Sequence, residues 1–237
     1  MRKIGIILFG LILVQTLYGQ NYHKMIEANK YFDVALYEQG HICAYSDNVP
    51  PKRFFFKGDT IINSKSYSKI YAYTMSPTWG PPPPYCPPFE IDTLYSLQYF
   101  FIREDTLLQK VYRCCNGINN EEELLFDFCL QQGDTLGSYL TIDTIVNIVT
   151  ADNKTRKKFY ITDYPYDGAY YIEGLGGNRG PFIFPEPNFE GQYFTMCVKS
   201  NDFTIYGVEC YDFISSTDDI RNETNVKIYP NPTDDLI

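Results

Sequence analysis

Between residues 53 and 162 one arrangement recurs: a short run with apolar or aromatic side chains at alternate positions, closed by a turn dipeptide. Residues 53–57 lead to Gly58-Asp59, and Ile61-Ile62 lead to Asn63-Ser64. Residues 67–74 then place Tyr67, Lys69, Tyr71 and Tyr73 on one face and Ile70 and Ala72 on the other. Successive side chains of a strand point to opposite sides of its sheet, so a period of two marks a half-buried strand. The pattern continues through residues 95–102, a turn at Arg103-Glu104-Asp105, residues 107–115, Asn116-Gly117 and residues 123–130. In that last run Leu124, Phe126, Phe128 and Leu130 share a face, while Asp127, Cys129 and Gln131 take the other. Gly133-Asp134 and Asp152-Asn153 bracket residues 138–149, where Leu140, Ile142, Val146 and Ile148 share a side, and residues 156–162 return. Strands joined by such short turns are antiparallel neighbours. The chain is therefore expected to be all-β and mainly antiparallel, as a single β-sandwich or barrel-like meander. Its 22 Tyr and 17 Phe suit that fold, because aromatic side chains pack well on a pleated surface.

Three segments depart from the meander. Residues 22–39 read as a short helical turn leading into a strand around residues 32–36. Residues 76–88 read as a loop, since Pro81-Pro82-Pro83-Pro84 cannot donate ladder hydrogen bonds and favours an exposed polyproline form. With Trp79 and Tyr85 that loop is a stiff crossover over one end of a sheet, or else an aromatic binding patch. Residues 172–180, Ile-Glu-Gly-Leu-Gly-Gly-Asn-Arg-Gly, miss the dinucleotide fingerprint: Arg179 stands where the third glycine belongs, and no helix follows. They read as a tight corner after a strand at residues 169–173.

The N-terminus has the three parts of a secretory signal. Arg2 and Lys3 precede an apolar run over residues 4–14, and Leu17-Tyr18-Gly19 offers a small residue before a cut. Cleavage is expected after Gly19, leaving Gln20 first. Gln15 and Thr16 end the run short of the roughly 20 apolar residues a membrane helix needs, so the mature chain is expected to have no transmembrane segment. Losing Arg2 and Lys3 takes the formal charge from −9 to −11 (−9 minus 2), which disfavours nucleic acid as a partner. The basic cluster Arg156-Lys157-Lys158 does not offset it.

All 7 cysteines follow the signal, in a compartment where disulfides persist, and the odd number leaves at least one unpaired. Cys197 and Cys210 are the favoured pair, closing a hairpin over residues 198–209. No C-x-x-C occurs, and His41-Ile42-Cys43 supplies only two ligands, so neither a metal nor a cofactor is expected. Carboxylates are plentiful at Glu104-Asp105, residues 121–123, Asp127 and Glu173. A glycosidase would need two of them facing each other about 5–10 Å apart. No G-x-S-x-G accompanies the histidines, so no nucleophilic triad is indicated. Asp-Thr-Leu/Ile recurs at Asp59-Thr60-Ile61, Asp92-Thr93-Leu94, Asp105-Thr106-Leu107, Asp134-Thr135-Leu136 and Asp143-Thr144-Ile145, where it reads as strand punctuation.

Residues 226–237, with Tyr229-Pro230-Asn231-Pro232, resemble the opening of the type A C-terminal sorting domain read by the type IX secretion system of Bacteroidota. The body over residues 24–213 resembles the uncharacterised β-rich modules that precede such domains. The resemblance rests on Gly58-Asp59-Thr60 with Tyr67 and Lys69, Arg103-Glu104-Asp105, Phe126-Asp127-Phe128 through Gly133-Asp134-Thr135, and residues 172–176. It implies a signal at 1–19, an extracellular module at 20–214, a linker at 215–225 and an incomplete sorting domain from 226. It also implies the export and type IX machinery as partners and a secreted or cell-surface destination, periplasmic if the sorting signal does not work. The Asp-Thr-Leu/Ile repeat is similar to the O-glycosylation acceptor of exported Bacteroidota proteins, which marks Thr60, Thr93, Thr106, Thr135 and Thr144. No catalytic role comes with the resemblance. The expectation is a non-enzymatic, adhesin-like module for a glycan or protein ligand, and the alternative is a secreted carbohydrate-active hydrolase using a carboxylate pair.

Overall fold

The alternating runs pair side by side into two sheets. In the computed structural model the described residues are 22–38, 41–44, 50–77, 89–114, 121–137, 140–162, 168–182, 192–201 and 203–207, and none of them is helical. The strands are β1 (Lys30–Glu38), β2 (His41–Ala44), β3 (Lys52–Ile62), β4 (Lys65–Pro77), β5 (Phe89–Asp105), β6 (Lys110–Cys114) and β7 (Glu122–Asp127). They continue with β8 (Thr135–Leu136), β9 (Leu140–Val149), β10 (Thr155–Thr162), β11 (Tyr170–Ile172), β12 (Gly176–Gly177), β13 (Gln192–Ser200) and β14 (Phe203–Gly207). Every pairing between them is antiparallel. The large sheet runs β14-β13-β1-β3-β4-β5-β6-β7 with β2 beside β1, and the small one runs β12-β11-β10-β9-β8. The fold is thus all-β and antiparallel, a sandwich or barrel-like arrangement, as the alternation predicts.

The core lies between the sheets. Phe32, Phe54, Ile70, Ile102 and Phe126 come from the large sheet, and Ile142, Phe159 and Tyr171 from the small one. Ring contacts join the two layers: Phe126 lies 5.3 Å from Tyr171, and Phe159 stacks on Tyr171 at 4.6 Å. Phe128, just past the end of β7, lies 6.1 Å from Phe159. Each such side chain contributes about 1.5–3 kcal/mol through burial.

The punctuation differs from the sequence reading at several points. Gly58-Asp59 does not reverse the chain; β3 passes through it with a register shift between Phe56 and Asp59, and Gly58 takes φ 70°, as a glycine bulge allows. Asn63 and Ser64 do reverse it, at φ 49° and 64°, the left-handed pair a two-residue hairpin requires. Arg103-Glu104-Asp105 stays in β5, opposite Tyr112, Val111 and Lys110. The turn falls at residues 106–109, where Asp105 Oδ1 accepts the N–H groups of Leu107 and Leu108 at 3.2 and 3.0 Å. Leu107 and Leu108, expected in the returning strand, are therefore exposed in a turn, and β6 begins at Lys110.

The run at 123–130 leaves its ladder at Asp127. Leu125 and Phe126 are both buried there, because the β6–β7 register shifts between Val111 and Tyr112. Residues 22–29, ahead of β1, contain no helical turn. The Asp-Thr repeat punctuates strands only at Asp105-Thr106 and Asp134-Thr135; the other three copies lie inside β3, β5 and β9. The glycine corner is as expected: Gly174 and Gly176 take φ 71° and 82°. A Cβ at Gly174 would meet the His23 carbonyl oxygen at 2.5 Å, and one at Gly176 would meet that of Pro181. The signal cut at Gly19 and Gln20, Trp79 and Tyr85 with their prolines, Asn116-Gly117, Cys210, the linker and the tail at Tyr229, Pro230, Asn231 and Pro232 lie outside the described residues.

Candidate functional site

Two carboxylates that stand among the catalytic candidates hold the N-terminal segment instead. Residues 22–29 pass beside the corner after β11, where their backbone amides need partners inside the protein. Glu104 accepts the Tyr22 hydroxyl at 2.6 Å and the Met25 N–H at 2.7 Å through Oε1, and the Ile26 N–H at 3.1 Å through Oε2. Glu173 accepts the N–H groups of His23 and Lys157 at 2.9 and 3.3 Å. Burial, helped by Glu104, pushes the Tyr22 phenol well above its ordinary range. Lys30 is fully buried; its Nζ donates to the carbonyls of Lys24 at 2.6 Å and Gly174 at 3.2 Å and pairs with Glu27 at 3.0 Å. Desolvation brings that ammonium down to about 8, with Glu27 opposing the shift.

Glu122, Glu123 and Asp127 are also engaged. Glu122 pairs with Arg103 at 2.7 Å and Lys65 at 2.5 Å and accepts the Tyr67 hydroxyl at 2.8 Å. Burial alone would raise its pKa, but these hydrogen bonds outweigh burial and hold it at about 2. Glu123 pairs with Arg113 at 2.8 Å, and Asp127 accepts the Cys129 N–H at 2.9 Å and pairs with Lys110 at 3.0 Å. Arg156, from the one basic cluster, is buried within β10 and donates to Thr150, the Glu173 carbonyl and Asp152 at 3.1, 3.1 and 2.9 Å. It is a core group, not a phosphate contact.

A small open cleft of about 80 Å³ lies between the inner face of the large sheet and the turn that follows β12. Val34, Phe54 and Phe100 line it from the sheet, and Gly180, Pro181 and Phe182 from the turn. Gly180 takes φ 112°, which only glycine adopts readily, and the chain then brings Phe182 back over the sheet. Phe182 packs edge-on to Phe32 at 4.9 Å and to Phe54 at 5.8 Å, and Phe54 meets Tyr99 edge-on at 5.4 Å. Lys52 shares the inner face of β3 with Phe54, and its Nζ lies 4.9 Å over the Tyr99 ring. Arg113 reaches the same region, 5.5 Å from the Phe100 ring, and donates to the Phe182 carbonyl at 3.3 Å. The lining is aromatic and almost wholly apolar. Such a cleft can hold an apolar ring or chain. None of Glu104, Glu122, Glu123, Asp127 or Glu173 lines it.

The other residues singled out from sequence are dispersed. Thr106 and Thr135 are exposed, Thr60 and Thr144 are half-buried within β3 and β9, and Thr93 lies in β5. Cys197 and Cys114 are buried and disulfide-bonded, and Cys210 lies outside the described residues. β13 and β14 form the expected hairpin, with Cys197 opposite Gly207. Cys129 is free and exposed, and burial together with Asp127 pushes its thiol up. Among the described residues no three His, Cys, Asp or Glu side chains gather as metal ligands, and no helix is long and apolar enough to cross a membrane. Sequence reasoning missed Lys52, Phe54, Tyr99 and Phe182. Lys52 carried a signal, because it stands in phase with the core-facing Phe54 and Phe56. No family model, curated protein or solved structure matches the chain.

Proposed function

We propose that this chain is an exported, non-enzymatic binding module that holds a protein or glycan ligand. Its N-terminal signal carries it across the inner membrane, and the segment at 226–237 addresses it to the type IX machinery. The open aromatic cleft carries the reading: it is concave and apolar, and none of the candidate carboxylates lines it. The engagement of Glu104 and Glu173 by backbone amides weighs against the hydrolase, since a general acid must exchange its proton with substrate. A screen of the secreted protein against glycans and polysaccharides, scored for both retention and reducing-end release, tests this. Retention without release is expected. Steady release that a carboxylate substitution abolishes would overturn it. For export, cell fractionation of the full-length gene product should place it outside the cell; recovery from the periplasm alone counts against the sorting role.

A further inference from the structure

We infer that the outward face of the small sheet binds a glycan through one carboxylate-bearing sugar, received by Lys158 and Tyr160. This rests on the binding-module reading and selects the glycan among its ligand classes; neither residue lines the apolar cleft. The basic triplet at 156–158 divides between the two sides of β10, because successive side chains of a strand alternate. Lys157 shares the side of the core-facing Phe159 and donates to the Phe128 carbonyl at 3.5 Å. Arg156 and Lys158 take the other side, where Arg156 is buried and paired with Asp152. Lys158 is half-buried, its ammonium 3.5 Å from the centre of the Tyr170 ring and 4.7 Å from that of Tyr160. Rings attract a cation without neutralising it. No carboxylate among the described residues pairs with Lys158.

The same face is rich in hydroxyls. Strand pairing sets Thr144, Tyr160 and Tyr170 in one row and Thr141 with Thr162 in the next. The Tyr170 hydroxyl meets that of Tyr206 at 2.7 Å, and Thr144 donates to Asp143 at 3.3 Å. The half-buried Tyr160 has no hydrogen-bond partner for its hydroxyl among the described residues. A sugar brings several hydroxyls into any site, and each must regain the hydrogen bonds it leaves in water. This face supplies partners for them, and the half-exposed rings supply apolar area for the C–H faces of the sugar. An aspartate or glutamate from a protein would meet the ammonium and leave the phenol unused. Charge sets the number of carboxylates. A chain of net charge −9 repels a densely charged polyanion, whereas one unpaired ammonium suits one carboxylate on an otherwise neutral glycan.

The test is an amide NMR titration of the full chain with methyl glucuronoside, its methyl ester and the N-acetyl amide of aspartate. The acid sugar is expected to move the signals of Thr144, Lys158, Tyr160 and Tyr170, and to bind about threefold to tenfold more tightly than the ester. Lys158→Gln should abolish that preference, and Tyr160→Phe should weaken acid and ester alike by about twofold to fivefold. The core signals of Phe126 and Ile142 report that each variant stays folded. Equal binding of acid and ester to the wild type overturns the inference, as does a preference that survives Lys158→Gln. Tighter binding of the aspartate probe at the same signals would assign the ammonium to a protein partner and overturn it as well. If both sugars fail here while the glycan screen shows retention, this site falls and the binding module stands. Reducing-end release in that screen removes both.

Discussion

Glu104 Oε1 lies 2.7 Å from the backbone nitrogen of Met25, so a side chain near the end of β5 satisfies the amide of a residue with no solvent exposure. The same carboxylate binds Ile26 and Tyr22, and Glu173 binds His23 from the other side of the segment. Residues 22–29 are thus anchored by acids from both sheets' ends, with Met25 driven into the core as the apolar plug. The acids that looked most like catalytic candidates are structural because an irregular segment crosses a region where its amides have no ladder to join.

Glu104→Ala is expected to lower stability by about 2–4 kcal/mol, because it strands two amide donors and a phenol. Glu104→Gln should cost less, since its amide oxygen still accepts one bond. Urea denaturation at neutral pH measures both. A midpoint unchanged in Glu104→Ala would mean that the segment is not held through this residue.

The acid limb of stability should depend on Glu122. Its carboxyl sits at about 2 in the folded protein against an ordinary value of 4.5, held down by Arg103, Lys65 and Tyr67. The unfolded chain therefore binds a proton that the folded chain refuses, and stability falls as pH drops from about 5 through 2. Glu122→Gln should flatten that limb and leave the pH dependence above 6 untouched. An identical acid profile in the variant would contradict the assignment.

The fold was legible because its signal is periodic. Tyr67 to Ala72, Leu140 with Ile142 and the hairpin at Asn63-Ser64 obey rules that act over a few residues. The errors came where a bulge or side chain changed the local phase. Gly58 absorbs a register shift, and Asp105 ties up the amides of Leu107 and Leu108, so the turn moves beyond Arg103-Glu104-Asp105. The cleft was not legible, since Phe54 and Phe182 are far apart in sequence and meet only when Gly180 returns the chain over the sheet. Each of them reads locally as an ordinary core residue.

Exposure divides the Asp-Thr-Leu/Ile copies into two classes. Thr106 lies in the β5–β6 turn and Thr135 at the start of β8, both exposed, whereas Thr60 and Thr144 are half-buried in paired strands. If a glycosyltransferase reads this motif on the folded protein, intact-mass and peptide spectra of material secreted by a Bacteroidota host should show glycan on Thr106 or Thr135. Thr60 and Thr144 should stay bare, and Thr106→Ala with Thr135→Ala should remove that glycan. Glycan on Thr60 or Thr144 alone would show that exposure in the folded state does not govern modification.

Alkaline stability should pass through a maximum, with Lys30 on one side and tyrosines on the other. Lys30 sits at about 8 when folded, against an ordinary value of 10.5 that the unfolded chain regains. Between those values the unfolded chain binds the extra proton, so raising the pH favours the folded state, by up to about 3 kcal/mol across the window. Tyr22, Tyr171 and Tyr206 act in the opposite sense: burial raises all three, so above about pH 10 the unfolded chain loses protons that the folded chain keeps. Stability should therefore climb from pH 8 towards 10 and fall beyond it. Chemical denaturation at half-unit steps, in a Cys129→Ser background that removes an exposed free thiol and limits disulfide exchange, measures the profile. Lys30→Met should lose the climb and keep the fall. A climb of the same size in that variant would place its origin in another group and show that the Lys30 ammonium is not strained by its burial.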